Sequence, residues 1–162
     1  MDWGSVSGGS DPVPSSASSG LPTIGPSTLI VMALAVKGTD LFAGSSGGGV
    51  YRSIDNGASW VAVNDGLTIR SVFALAVSGT DLFAGTYGGG VFRSNSNGAG
   101  WTAVNRGLTN PYVYALALSG PDLFAGTAGG GVVRSAGGRA ARTAIHIGLT
   151  DRSSSRVGPA PP

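Results

Sequence analysis

The chain has 162 residues, of which 41% are hydrophobic and only 11% are charged, and its formal net charge is +2. The length predicts one domain with enough apolar residues for a core. Scattered single arginines exclude the basic block typical of nucleic-acid binders, and the absence of cysteine excludes disulfides and thiolate metal sites. With 29 glycines, no glutamate and Lys37 as the only lysine, the composition predicts strands and turns rather than helices.

The sequence predicts neither a membrane span nor a signal peptide. No apolar run reaches the roughly 18 residues that a membrane span needs, so no membrane span is predicted. The opening M-D-W-G-S-V-S-G-G-S lacks a positive segment followed by an apolar one, so no signal peptide is visible. Segments 1–28 and 151–162 are rich in Ser, Pro and Gly and are predicted to be disordered.

Between these segments the chain repeats itself three times without a gap, at a spacing of 41 residues. The shared text is A-L-A-(V/L)-x-G-x-D-L-F-A-G-x-x-G-G-G-V-x-R-S, and G-L-T closes each copy. Repeats of this length are typical of propellers and solenoids. We predict three units within 29–150, at 29–70, 71–111 and 112–150.

Each unit predicts four short strands separated by Gly- or Asn-rich turns. In the first copy these are V-M-A-L-A-V (31–36), D-L-F-A-G (40–44), G-V-Y-R-S (49–53) and S-W-V-A-V-N (59–64). Four strands in about 41 residues match one blade of a β-propeller. The predicted fold is therefore all-β, a partial β-propeller of three four-stranded antiparallel blades.

The third turn of the first copy reads S-I-D-N-G-A-S-W, at residues 53–60. It resembles the Asp-box, S-x-D-x-G-x-x-W, of the bacterial neuraminidase repeat. That resemblance implies a turn between the third and fourth strands of a propeller blade, where the strand pattern also places it. It implies an extracellular or cell-envelope location as well.

The box residues predict a structural turn that varies in quality between copies. Short side chains accept backbone hydrogen bonds, a glycine adopts positive φ, and a tryptophan pins the turn to its blade. These residues are Ser53, Asp55, Gly57 and Trp60 in copy one, and Ser94, Gly98 and Trp101 in copy two. Copy three has Gly137, Arg139 and Arg142 at the Asp, Gly and Trp positions. One carboxylate cannot form a calcium loop, which needs several acidic ligands.

The family resemblance raises glycan hydrolysis, but no catalytic residue is predicted. Sialidases of this type use a Tyr/Glu pair, and glutamate is absent. Xyloglucanase-like enzymes use two carboxylates, whereas Asp40, Asp81 and Asp122 recur with the repeat and are assigned to the blades. Opposite them on the next strand, Arg52, Arg93 and Arg134 recur too, which predicts an ion pair inside each blade. A single histidine, His146, and no cysteine leave no metal site and no cofactor site.

Turn two of each blade and the connection to the next blade are predicted to share one face of the disc. The copies differ there, and variable loops on a repeated scaffold are where binding residues concentrate. We predict the candidate binding residues Ser46, Arg70, Tyr87, Asn110 and Tyr112.

Together these features predict a non-catalytic β-propeller binding or scaffold module that is incomplete or part of a larger assembly and that recognises a protein or a glycan. The alternative is a degenerate fragment of a secreted glycan-active hydrolase. A third possibility is an assembly factor, because a photosystem-assembly family uses similar repeats. Three blades are fewer than the four to eight of closed propellers. Either two copies of the chain complete a six-bladed ring, or the missing blades belong to a longer polypeptide of which this chain is a truncated piece; the decayed third box and the Pro/Ser-rich end favour truncation slightly.

Overall fold

The computed structural model describes residues 29–135 and 145–147; the predicted disordered segments and positions 137–142 of the third box lie outside them. Its described residues form strands and turns, and they contain no helix that could cross a membrane. The strands are β1 (Val31–Lys37), β2 (Asp40–Ser45), β3 (Gly49–Ser53), β4 (Val61–Ala62), β5 (Val72–Ser78), β6 (Asp81–Thr86), β7 (Gly90–Ser94), β8 (Thr102–Ala103), β9 (Val113–Ser119), β10 (Asp122–Thr127), β11 (Gly131–Ser135) and β12 (Ile145–Ile147).

The strands form three antiparallel sheets of four, each with its strands in sequence order. Blade one is β1–β4, blade two is β5–β8 and blade three is β9–β12. The first strands of successive blades contact one another, β1 against β5 and β5 against β9, so they line the centre of the fan. The fold is therefore an all-β partial propeller, as the repeat predicts.

The hydrophobic core lies between blades rather than inside one sheet. One cluster joins Phe42 and Val50 of blade one to Val72, Leu82 and Trp101 of blade two. A second cluster joins blade two to blade three, with Phe83, Val91, Val113, Leu123 and Ala125 as its buried members. Each blade is thus stabilised by its neighbours, because a single four-stranded sheet leaves both faces open to water.

The predicted ion pair inside each blade is confirmed. Arginine and aspartate are 2.5 Å apart in Arg52–Asp40, 2.8 Å in Arg93–Asp81 and 2.7 Å in Arg134–Asp122. In each pair the arginine lies on the third strand, diagonally across from the aspartate that begins the second strand. Because these side chains are partly exposed, each pair contributes only about 0–1 kcal/mol.

The fourth strand is shorter than predicted, and 59–64 narrows to Val61–Ala62 in blade one. At the start, the backbone N–H of Ser59 donates to the Asp55 carboxylate instead of entering the sheet. At the end, the amide side chain of Asn64 takes the place of further strand pairing. It accepts from Val50 N at 2.7 Å and donates to the carbonyl of Gly48 at 3.0 Å.

Blade three pairs its last two strands in a shifted register. In blade one Tyr51 faces Ala62, and in blade two the equivalent Phe92 faces Ala103. In blade three the equivalent Val133 faces His146, two residues beyond the position that the repeat predicts. The shift occurs in the copy whose box sequence is lost.

Candidate functional site

The turn at 53–60, here called the box turn, is closed by its own side chains. The Ser53 hydroxyl accepts from Gly57 N at 2.8 Å and donates to the Asp55 carboxylate at 2.8 Å. Hydrogen bonds from the hydroxyl and backbone N–H of Ser59, and from Ser53, lower the pKa of Asp55 from 3.8 to about 2. The Trp60 indole N–H donates to the carbonyl of Gly57, within the same turn. Asp55 is therefore occupied by the turn that it closes.

The second box turn, at 94–101, extends beyond its own blade. Trp101 is 5% exposed, and its indole N–H donates to the carbonyl of Val63 in blade one at 2.8 Å. Its backbone N–H donates to Asp65 O of the same segment. Lys37 of blade one donates to the Asn97 side chain at 2.6 Å. The sequence predicted an anchor within one blade, whereas Trp101 fastens blade two to blade one.

Turn two of each blade meets the connections between blades on one face, which we call the turn-two face. The N–H groups of Gly47 and Gly49 donate to the carbonyl of Arg70, and those of Gly88 and Gly90 donate to the carbonyl of Pro111. The loops where the copies differ are thereby held together by backbone atoms. Their side chains are consequently free to vary without loss of the fold.

Asn64 and Asn105 hold turn two in place, and the sequence reasoning did not assign them this role. Asn105 accepts from Val91 N at 2.7 Å and donates to Gly89 O at 2.7 Å, repeating the contacts of Asn64. A Cβ at Gly90, whose φ is +76°, would lie 2.3 Å from the Asn105 carbonyl oxygen. In blades one and two the third glycine of G-G-G, Gly49 or Gly90, is therefore required by this amide as well as by its backbone conformation.

Four aromatic rings gather on the turn-two face between blades two and three, and we call them the aromatic patch: Phe73, Tyr87, Tyr112 and Tyr114. Ring centroids lie 4.8 Å apart for Tyr87–Tyr112, 5.6 Å for Phe73–Tyr87 and 5.5 Å for Phe73–Tyr114. The three tyrosines are 40–48% exposed. Partial desolvation and the neighbouring Tyr87 and Tyr112 raise the pKa of Tyr114 above 10.0. Tyr114 is therefore uncharged at neutral pH.

Phe73 and Tyr114 were missed because they lie within predicted strands. A bulge separates Val72 from Ala74, and the same irregularity recurs at Tyr114 and at Met32 of blade one. A bulge redirects one side chain out of the regular alternation. The available signal was the repeat itself, since V-M-A, V-F-A and V-Y-A vary only at the bulged position.

The other predicted binding residues are near this face but have different surroundings. Asn110 supports Tyr112, since its side chain accepts from Tyr112 N at 2.9 Å and donates to the Ala128 carbonyl. Ser46 is exposed in turn two of blade one and donates its N–H to the carbonyl of Ile30. Arg70 is exposed. Burial raises the pKa of the nearby Tyr51 phenol, and the positive charge of Arg70 partly opposes that rise. Of the five candidates, Tyr87 and Tyr112 form one surface.

Carboxylates are sparse around the remaining depressions. An open cavity of about 420 Å³ is lined by Asn64, Asp65, Gly66, Leu67, Thr68 and Arg70. Asp65 is the one carboxylate in this lining, whereas glycoside hydrolysis uses a pair about 5–10 Å apart. No group of three or more metal-ligating side chains occurs among residues 29–135.

No family model matches the sequence, and no curated protein matches it. Similar solved structures are β-propeller proteins of low identity. YCF48 from Cyanidioschyzon merolae is 14% identical, with a TM-score of 0.56 over 76% of this chain and 38% of that one. An ancestral GH74 enzyme is 20% identical, with a TM-score of 0.59 over 71% and 18%. YCF48 bound to D1 peptide is 16% identical, with a TM-score of 0.52 over 70% and 39%. The chain thus spans less than half of each of these three neighbours, and the likeness shows the fold alone.

Proposed function

We propose that this chain is a non-catalytic β-propeller binding or scaffold module that recognises a protein or a glycan through the aromatic patch. The observation that carries the proposal is the exposure of Tyr87, Tyr112 and Tyr114 side by side, at 40–48% each. Clustered tyrosines supply large contact areas at little cost in side-chain entropy, and they are enriched at recognition surfaces.

The loops of the turn-two face can form without these rings. Blade one builds the same loops with Ile30, Met32 and Ser46 at the positions equivalent to Tyr112, Tyr114 and Tyr87. The aspartates and arginines that pair inside each blade recur in every copy. Aromatic residues that occur where the copies differ, and that remain exposed, are better explained by contact with a partner.

Both partner classes have specific support. Tyrosine faces stack on sugar rings and also accept extended peptides in aromatic grooves. A structural neighbour is YCF48 bound to D1 peptide, which favours a protein partner by analogy of fold. We also propose that the box turns belong to the Asp-box class, because Ser53 and Asp55 supply the hydrogen bonds that such a turn needs.

The binding proposal is tested with a peptide array and a glycan array, followed by calorimetry on the best ligand. Tyr87→Ala and Tyr112→Ala should each weaken binding by about 10–30-fold, the effect of removing an aromatic hot spot. Ile54→Ala is the matched control, because Ile54 is 70% exposed in the box turn and outside the patch. Wild-type affinity in both tyrosine variants, or no ligand on either array, would contradict the proposal.

The second candidate is a degenerate fragment of a glycan-active hydrolase, which the GH74 neighbour favours. Asp65, in the cavity beside Arg70, is then the residue to change. Reducing-sugar release from xyloglucan and sialic acid release from sialyllactose are measured with the wild type and Asp65→Asn. Turnover that Asp65→Asn abolishes would establish this candidate and overturn the non-catalytic one.

A further inference from the structure

Blade one exposes the same surface that blade two buries. Val72 of blade two is 0% exposed and fits against Gly44 of blade one, where a Cβ would lie 2.7 Å from the valine methyl. Its counterpart in blade one, Val31, is 40% exposed. Leu34 and Val36 are 69% and 62% exposed, whereas their blade-two counterparts pack against the core between the blades.

Trp60 repeats this difference. Its counterpart Trp101 is buried and donates to the preceding blade, whereas Trp60 is half-buried and donates within its own turn. Val31, Leu34, Val36 and Trp60 form what we call the leading face. In the repeat, each position of this face is the one that contacts a preceding blade.

Blade three presents the complementary surface. Blades one and two cover their successors with an Ala-Phe-Gly-Val set, namely Ala35, Phe42, Gly44 and Val50, then Ala76, Phe83, Gly85 and Val91. Blade three has the same set, Ala117, Phe124, Gly126 and Val132, which we call the trailing face. Phe124 is half-buried where Phe42 and Phe83 are buried. Among residues 29–135, a Cβ at Gly126 would come nearest to Ala115 of its own blade, at 3.4 Å.

We propose that two copies of this chain associate head to tail, with the leading face of each on the trailing face of the other. Val31 of one copy then fits the notch at Gly126 of the other, as Val72 fits Gly44 and Val113 fits Gly85 within the chain. The two contacts are related by a two-fold axis and close a ring of six blades. Six blades fall within the range of closed propellers, and closure buries both apolar faces.

The test is light scattering coupled to size exclusion on the full chain over a range of concentrations. The wild type should have twice the 15.9 kDa mass of one chain. Leu34→Glu removes a leucine that the dimer would bury, and Gly126→Val fills the space beside Gly126 that would receive Val31. Each change acts at both contacts of the dimer, so each should weaken association by at least about 100-fold. Ile54→Glu is the control, because position 95, its blade-two counterpart, is exposed even with a neighbouring blade in place.

Mixing the two variants identifies the direction of assembly. Leu34→Glu retains its trailing face and Gly126→Val retains its leading face, so an equimolar mixture has one intact contact and should form a heterodimer. Far-UV circular dichroism confirms that each variant is folded. A folded wild-type monomer at all concentrations, a mass above two chains, or a mixture that remains monomeric would overturn the proposal.

Discussion

Trp101→Ala is expected to destabilise the fold far more than the chemically identical change Trp60→Ala. Trp101 is 5% exposed, and its N–H donates to the carbonyl of Val63 in the preceding blade. Removing a buried tryptophan costs about 3–5 kcal/mol, and the lost hydrogen bond accounts for about 1 kcal/mol of the effect. Trp60 is half-buried and bonds only within its own turn, so we expect about 1–2 kcal/mol there.

The measurement is urea unfolding followed by circular dichroism, in a Leu34→Glu background so that association does not contribute. Small domains have only about 5–15 kcal/mol of stability, so Trp101→Phe is included as the milder change. It keeps most of the apolar contact and removes the N–H, which should cost about 1–2 kcal/mol. Equal losses for Trp60→Ala and Trp101→Ala would refute the assignment of Trp101 as the fastener between blades.

Three further predictions concern individual parts of the fold. Asn105→Ala leaves Val91 N without its acceptor and should cost about 1–3 kcal/mol in urea unfolding, with Asn105→Asp intermediate because the acceptor remains. A carboxyl-detected NMR titration should give Asp55 a pKa of about 2. The contribution of the Asp55 carboxylate to stability is then complete above pH 3.8 and is lost as the pH falls toward 2. A measured pKa near 3.8 would contradict the hydrogen bonds of the box turn. Hydrogen exchange should be faster in residues 131–135 than in 90–94, since copy three has Arg142 where a tryptophan fastens blade two, and slower exchange there would contradict this.

The repeat made part of this structure predictable. Positions that recur in all three copies are under the same physical constraint in each, so the pairing of Asp40 with Arg52 could be inferred from strand geometry alone and then extended to the other blades. The strands and the turn-two face followed in the same way. Contacts inside one blade repeat with the sequence and are therefore visible in it.

Contacts between blades were harder to infer, because they join residues far apart in sequence and no local sequence pattern indicates which residues meet. The partner of the Trp101 indole is 38 residues away, at Val63. The bulge at Phe73 is likewise a property of strand pairing. Regular alternation would place Phe73 on the same face as Leu75 and Val77, which pack against the core between blades one and two. The short fourth strand has the same origin, since Asn64 replaces a backbone partner with a side-chain amide.

The aromatic patch also connects blades two and three at a junction that lacks a tryptophan fastener. Tyr87 contacts Phe73 within blade two and both Tyr112 and Tyr114 of blade three, and such pairs contribute about 0.5–1.5 kcal/mol each. Tyr87→Ala should therefore reduce stability as well as binding, whereas Tyr87→Phe keeps the ring contacts. Tyr87→Phe also removes the hydroxyl that hydrogen-bonds Tyr114, so a small loss of stability is expected; if the phenol contacts a ligand, Tyr87→Phe should lower affinity by more than this loss of urea stability accounts for. If the rings serve only the junction, affinity will follow stability across both variants, and the patch is then a structural seam and not a recognition site.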